Sequence, residues 1–177
     1  RRGPVAGRAT AVRLDVSPQP EITFDDALQG CCRCLPADEF GDFVLKRRDG
    51  LHAYQLAVVV DDHAQGVTHV VRGTDLLEET PKQIALQHAL GYGTPAYLHV
   101  PVATHPGGQK LSKQSGAAAV DAREGSALLC RTLQFLRQPL PQHGADATPE
   151  ALLAFAAEHW CPAPLAKLRA IALDPAS

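Results

Sequence analysis

The feature that most constrains the fold is a strand, helix and strand pattern across residues 67–102. Residues 67–71 form a short apolar run of the kind found in buried strands. The helix is predicted to begin at Thr80, an N-cap residue followed by proline, and to end at Gly91. Residues 97–102 form the second strand. Because strands joined through one helix are usually parallel with a right-handed crossover, the sequence predicts an α/β fold.

Shorter elements flank this unit and divide the chain into three predicted regions. Strands are predicted at residues 9–16, 22–24 and 42–47, the second as partner of the first, and helices at residues 121–137, 149–159 and after Pro164. In residues 53–65 the run Val58-Val59-Val60 favours a strand and the spacing of apolar residues a helix, and the length of the segment favours the helix. Residues 29–41 are interpreted as a connector, and residues 104–119 as a loop. The regions are a β-rich connecting segment (1–41), an α/β region (42–120) and a helical region (121–177).

Composition excludes several classes of protein. Hydrophobic residues make up 45% of the 177 positions and charged residues 20%, which is ordinary for a globular chain and argues against disorder. No apolar run approaches the ~18 residues of a membrane helix and no signal peptide opens the chain, so we expect a cytoplasmic protein without a membrane partner. The 17 basic and 19 acidic residues give a net charge of −2. An RNA partner must therefore be held by a local patch.

Residue counts also bear on completeness and on metal binding. The chain contains no Met and begins with Arg1, so we interpret it as an internal or C-terminal fragment. Its five cysteines favour reduced thiols over a disulfide framework. Cys31 and Cys34 have the spacing of half a zinc site, but no second pair follows. Residues 61–63 (Asp-Asp-His) are either a metal or acid–base cluster or a solvated helix end. No metal ligand is assigned in this chain.

The sharpest local motif covers residues 107–116 and reads Gly-Gly-Gln-Lys-Leu-Ser-Lys-Gln-Ser-Gly. Two lysines three residues apart in a glycine-flanked loop supply compact positive charge for a polyphosphate, and the loop follows a predicted strand of an open sheet, where ligands bind. It does not have the spacing of a Walker loop. The alternative is an ordinary solvated surface loop.

Two residues outside the loop are candidates for binding a small substrate. Arg72 ends a predicted strand, and its planar guanidinium matches a carboxylate. The alternative is a structural pair with Asp75 or Asp62. Tyr54 offers a hydroxyl for a substrate hydrogen bond, although an aromatic residue at this place is also a candidate for the core.

Residues 110–114 (Lys-Leu-Ser-Lys-Gln) resemble the second signature loop of class I aminoacyl-tRNA synthetases. Residues 42–62, 66–73 and 80–84 are similar throughout to the glutamyl-tRNA synthetase group, in the same order and spacing. The resemblance implies the second half of a class I Rossmann-type nucleotide-binding fold over residues 42–120, followed by a small helical stem region.

Three details resemble the shorter branch of this group, the glutamyl-queuosine tRNA(Asp) synthetases. The loop ends in Gln114 where glutamyl-tRNA synthetases usually have Arg, and Val58 stands where they usually carry Asn. Residues 74–77 (Thr-Asp-Leu-Leu) also depart from their pattern. Roughly 60 residues follow the loop, too few for an anticodon-binding domain. A truncated glutamyl-tRNA synthetase remains an alternative, as does a non-catalytic binding module derived from a synthetase.

The resemblance implies a monomeric ligase that forms glutamyl-adenylate from L-glutamate and ATP with Mg²⁺. It then transfers glutamate to queuosine in tRNA(Asp). Tyr54 and Arg72 are implied to bind glutamate, Lys113 to be catalytic, and His99 to line the adenine site. The ATP-binding residues implied in this way are Lys110, Leu111, Ser112, Lys113 and Gln114.

The resemblance also implies that parts of the whole enzyme lie upstream of this chain. These are the first signature, of the His-Ile-Gly-His type, further glutamate-binding residues and the ligands of a zinc ion. We therefore expect residues 1–177 alone to be inactive.

Overall fold

The computed structural model of the protein describes residues 9–112, 121 and 124–173. The strands are β1 (Val12–Leu14), β2 (Ile22–Asp26), β3 (Gly30–Cys34), β4 (Phe43–Lys46), β5 (His69–Gly73), β6 (Ala96–Val100), β7 (Val102–Thr104) and β8 (Ala170–Ala172). The helices are α1 (Pro36–Glu39), α2 (Tyr54–Ala64), α3 (Thr80–Leu90), α4 (Gly125–Phe135) and α5 (Pro149–Glu158), with short 3-10 helices at Thr74–Glu79, Gly144–Asp146 and Ala163–Leu165.

The chain divides into two compact units. The first consists of Arg1–Ala27, Cys31–Val71 and Leu76–Leu98, and the second of Leu28–Gly30, Arg72–Asp75 and His99–Ser177.

A four-stranded sheet with the order β3-β2-β6-β5 organises the first unit. β2 and β6 run parallel, with Asp26 opposite Tyr97. Residues of β2 alternate between buried and exposed, as the period of a strand requires when one face is covered. The core cluster on that face consists of Ile22, Phe24, Leu77, Ile84, Ala85 and Tyr97.

Helices α2 and α3 lie where the sequence predicts them. α2 covers Tyr54–Ala64, within the predicted range of 53–65. α3 ends at Gly91, whose φ of 71° is left-handed and suits glycine. Its N-cap is Glu79 rather than the predicted Thr80. The Thr80 side chain is instead buried and donates to the Leu76 carbonyl oxygen at 3.3 Å.

Three strand predictions need correction. The strand predicted at residues 9–16 is the shorter β1, and it pairs antiparallel with β4, not with β2. The supposed connector at residues 29–41 contains β3 and α1, because β3 pairs with β2 at the edge of the sheet. The strand predicted at residues 97–102 is divided into β6 and β7 at Pro101, which has no N–H to donate to a neighbouring strand.

In the second unit, β7 and β8 form a parallel pair, and α4 packs against α5. Thr148 caps α5 by accepting a hydrogen bond from the Ala151 amide at 3.3 Å. The predicted helix after Pro164 is wrong: a single 3-10 turn is followed by β8. This segment becomes a strand because β7 is available to pair with it.

None of the helices in the described ranges is long and apolar enough to cross a membrane.

Candidate active site

Arg72 and His99 stand near the carboxyl ends of β5 and β6, within the second unit. The Arg72 Nε donates to the His99 Nε2 at 2.9 Å, and the imidazole is fully buried. A guanidinium only donates hydrogen bonds, so His99 Nε2 must be the acceptor. Accepting this bond requires a neutral ring whose proton is on Nδ1.

Gln29 fixes the backbone that carries His99. Its Nε2 donates to the carbonyl oxygens of His99 and Leu168, each at 3.0 Å. One amide thus connects β6 to the segment just before β8. Gln29 could not be predicted from the sequence, because nothing local marks a residue whose partners lie 70 and 139 positions away.

Lys110 is held by both its backbone and its side chain. The amide of the next residue, Leu111, donates to the Ala103 carbonyl oxygen at 2.9 Å, which closes a hairpin after β7. The Lys110 Nζ forms an ion pair with the Asp75 Oδ2 at 2.5 Å. The two side chains are 50% and 35% exposed, so Lys110 remains accessible from solvent while it is oriented toward the residues that follow β5.

Because Gly73 has no side chain, it leaves room for the Asp75 carboxylate and for Val102. A Cβ at this position would overlap the Asp75 Oδ1 and would lie 3.2 Å from a methyl carbon of Val102. Beside it, the Thr74 hydroxyl donates to the Arg169 carbonyl oxygen at 2.5 Å. Residues 72–75 (Arg-Gly-Thr-Asp) therefore stabilise the end of β5 through the backbone as well as through side chains.

The other predicted site residues lie in three places. Tyr54 is the first residue of α2, in the first unit, and is 54% exposed, so the alternative of a core aromatic is wrong. Leu111 and Ser112 are half-buried. Lys113 and Gln114 lie outside the described residues. The structure thus brings Arg72 and Lys110 into one unit, together with His99 and Asp75, whose roles here the sequence did not show.

The structure places the two cysteines of the Cys31 and Cys34 pair in different environments. Cys31 is exposed, whereas Cys34 is buried. Burial, together with the nearby Glu39 carboxylate, raises the pKa of the Cys34 thiol to about 12. In the described part of the chain, no three metal-ligating side chains are grouped together.

Residues 61–63 (Asp-Asp-His) form the end of α2. The His63 ring stacks on the Tyr92 ring, with 3.6 Å between centroids and 8° between planes. This contact gives the histidine a packing role within the first unit.

Comparison with protein families places these features in context. The family model described as "tRNA synthetases class I (E and Q), catalytic domain", where E and Q are glutamate and glutamine, matches residues 1–138. The chain belongs to this family. The predicted α/β, Rossmann-type synthetase fold and the resemblance to the glutamyl-tRNA synthetase group are thereby confirmed.

Curated proteins similar to this chain include glutamyl-Q tRNA(Asp) synthetases. The chain is 50% identical over 150 residues to the glutamyl-Q tRNA(Asp) synthetase of Pseudomonas syringae pv. syringae strain B728a, covering 85% of this chain and 50% of the relative. It is 62% identical over 116 residues to that of Cupriavidus metallidurans strain CH34, covering 65% and 37%. The chain spans about half the length of the curated relatives it matches.

Solved synthetase structures agree on the fold. The glutamate-tRNA synthetase of Elizabethkingia anophelis superimposes with a TM-score of 0.70 at 19% identity, covering 94% of this chain and 37% of that one. The glutamate tRNA ligase of Elizabethkingia meningosepticum, in complex with its amino acid, gives 0.63 at 20% identity, covering 88% and 34%.

Proposed function

We propose that the full-length protein containing this chain activates glutamate with ATP and transfers it to queuosine in tRNA(Asp). The observation that carries this proposal is the name shared by relatives that are 44–62% identical, glutamyl-Q tRNA(Asp) synthetase. Arg72 near the end of β5, and Lys110 paired with Asp75 just after that strand, support it, because ligands of open α/β sheets bind beyond the carboxyl ends of the strands. The proposal also includes that the protein is a monomeric, cytoplasmic ligase. In it, residues 1–41, 42–120 and 121–177 form the three predicted regions.

In the first step, a carboxylate oxygen of glutamate attacks the α-phosphorus of ATP, and pyrophosphate leaves. Tyr54 and Arg72 bind glutamate, Arg72 through a carboxylate. In this proposal the Arg72 Nε keeps its hydrogen bond to His99, and the terminal nitrogens of the guanidinium bind the carboxylate.

The loop residues 110–114 bind ATP in this proposal, and Lys113 stabilises the charge that develops on the phosphates. The cationic Lys110, half exposed and oriented by Asp75, fits a polyphosphate ligand. Bound Mg²⁺ would supply further charge neutralisation.

In the second step, a hydroxyl oxygen of the queuosine cyclopentenediol attacks the acyl carbon of the adenylate. A new ester bond forms, and AMP leaves. The nucleoside lies at the wobble position of tRNA(Asp).

The proposal is tested by transfer of labelled glutamate in the presence of ATP, using the full-length protein. The acceptors are tRNA(Asp) with queuosine, tRNA(Asp) without it, and tRNA(Glu). We expect label only on the first. Label on tRNA(Glu) would instead identify a translational synthetase, and a folded protein that labels none of them would favour a binding module.

A related prediction concerns residues 1–177 alone, which we expect to be inactive because the first signature is expected upstream. Glutamate-dependent exchange of pyrophosphate into ATP is the assay, and the full-length protein is the positive control. Exchange by residues 1–177 would show that this half contains everything needed for activation.

A further inference from the structure

We infer that His99 is a positioning residue for Arg72: its neutral imidazole holds the Arg72 guanidinium in the orientation that binds glutamate. The inference rests on the proposed function, in which Arg72 meets a carboxylate of glutamate. It assigns to His99 a role in amino acid affinity rather than contact with adenine.

The geometry of the contact carries the inference. The Arg72 Nε lies 2.9 Å from the His99 Nε2. Nε is the branch point between the flexible side chain and the planar fork of the guanidinium. A hydrogen bond at Nε therefore restricts the torsions that set the direction of the fork. Bidentate binding of a carboxylate depends on that direction.

The surroundings of His99 make it suitable as a fixed support. Its side chain is fully buried, and it stands on β6 rather than on a loop. Its carbonyl oxygen accepts from the Gln29 amide at 3.0 Å, which ties the backbone at this point to a second segment. Ligand-binding groups are held more accurately by strands than by loops.

The chemistry of the pair restricts the ring to one form. Arginine stays charged and offers donors only. A protonated His99 would present an N–H and a positive charge to Arg72, and the hydrogen bond would be lost. The contact therefore requires a neutral ring that is protonated at Nδ1.

Two amide variants of the full-length protein test the role. In His99→Gln the longer amide can place Oε1 near the former Nε2 position, whereas the shorter side chain of His99→Asn falls short of Arg72. We expect His99→Asn to raise the KM for glutamate about tenfold in pyrophosphate exchange, with kcat and the KM for ATP within about twofold of the wild type. His99→Gln should recover most of the glutamate affinity.

Controls separate the role from general stability. His69→Gln replaces an exposed histidine on β5 and should change neither KM. Thermal unfolding of all variants is measured in parallel, since both amides place a polar group in the same buried position. A folded His99→Gln with the same raised KM as His99→Asn would overturn the inference, as would an unchanged KM in His99→Asn.

A measurement on the wild type needs no variant. The ¹⁵N chemical shifts of the His99 ring distinguish the two neutral forms. Protonation at Nδ1, with Nε2 bare, would support the inference, and protonation at Nε2 would overturn it. A wild-type protein that does not activate glutamate would overturn the proposed function as well, whereas normal activation with an unaltered His99→Asn would overturn only the role of His99.

Discussion

Lys113 is the residue on which the proposed adenylation step most depends. If it acts on the transition state, Lys113→Ala in the full-length protein should lower kcat on the order of 10² while leaving the KM for glutamate nearly unchanged. Pyrophosphate exchange at saturating ATP measures both constants. Lys46→Ala, at an exposed lysine of β4, is the control. An unaltered kcat would remove Lys113 from the catalytic machinery.

Cys31 and Cys34 should differ in reactivity although they share one strand. Cys31 is exposed, whereas burial raises the pKa of the Cys34 thiol to about 12. Since the thiolate is the nucleophile, iodoacetamide at pH 8 should label Cys31 first and Cys34 only after unfolding. Trypsin cleaves at Arg33 and separates the two cysteines for mass spectrometry. Equal labelling of native protein would contradict the buried environment of Cys34.

The raised pKa of the Cys34 thiol also predicts the direction in which the stability of the folded protein changes with pH. Because the folded protein favours the protonated form, the stabilisation is complete below the ordinary thiol pKa of 9.0 and is lost as pH rises toward 12. We therefore expect a Cys34→Ala variant to show a shallower decline in stability over this alkaline range, measured by denaturant unfolding.

At the scale of elements, the end of β5 depends on Gly73. Gly73→Ala should destabilise the protein by about 1–3 kcal/mol, because the new methyl group overlaps the Asp75 carboxylate. Gly93→Ala is a matched control, since no atom lies within 4 Å of its added Cβ. Denaturant unfolding provides the comparison. Adding Asp75→Ala to Gly73→Ala should recover part of the loss, and strictly additive effects would contradict the proposed overlap.

Elements with strong local signals are predictable from this sequence, and those that depend on a partner are not. α3 follows from helical spacing and from Gly91 at its end, whereas for α2 the run Val58-Val59-Val60 favours a strand and only the length of the segment favours the helix. β3 contains glycine and cysteines and looks like a connector, but it becomes a strand by pairing with β2. β8 likewise exists because β7 lies beside it. Propensity is overridden in both places by contacts distant in sequence.

The same distinction holds for the candidate site. Arg72 and Lys110 stand out as charged residues in predicted binding positions. The contacts of His99, Gln29 and Asp75 could not be predicted, because each joins segments that the sequence separates widely. The spacing of a motif identifies the groups that meet a ligand more readily than the groups that orient them.

At the scale of the whole molecule, the family match ends at residue 138, yet later residues support the site. β8 pairs with β7, and the Val102 amide donates to the Arg169 carbonyl oxygen at 3.1 Å. Ending the full-length protein after Lys167 should therefore speed hydrogen exchange at Val102. Ending it after Leu173 keeps β8 and is the control. Unchanged exchange in the shorter form would show that β7 does not need β8.

The bonds from Gln29 to Leu168 and from Thr74 to Arg169 also have a consequence for biosynthesis. A ribosome makes the chain from its amino end. Gln29 and Thr74 therefore emerge while their partners have yet to be polymerised. The strand ends that carry Arg72 and His99 gain their full support only when translation has passed Arg169. A nascent chain stalled earlier would hold the substrate-binding residues without the bonds that fix them.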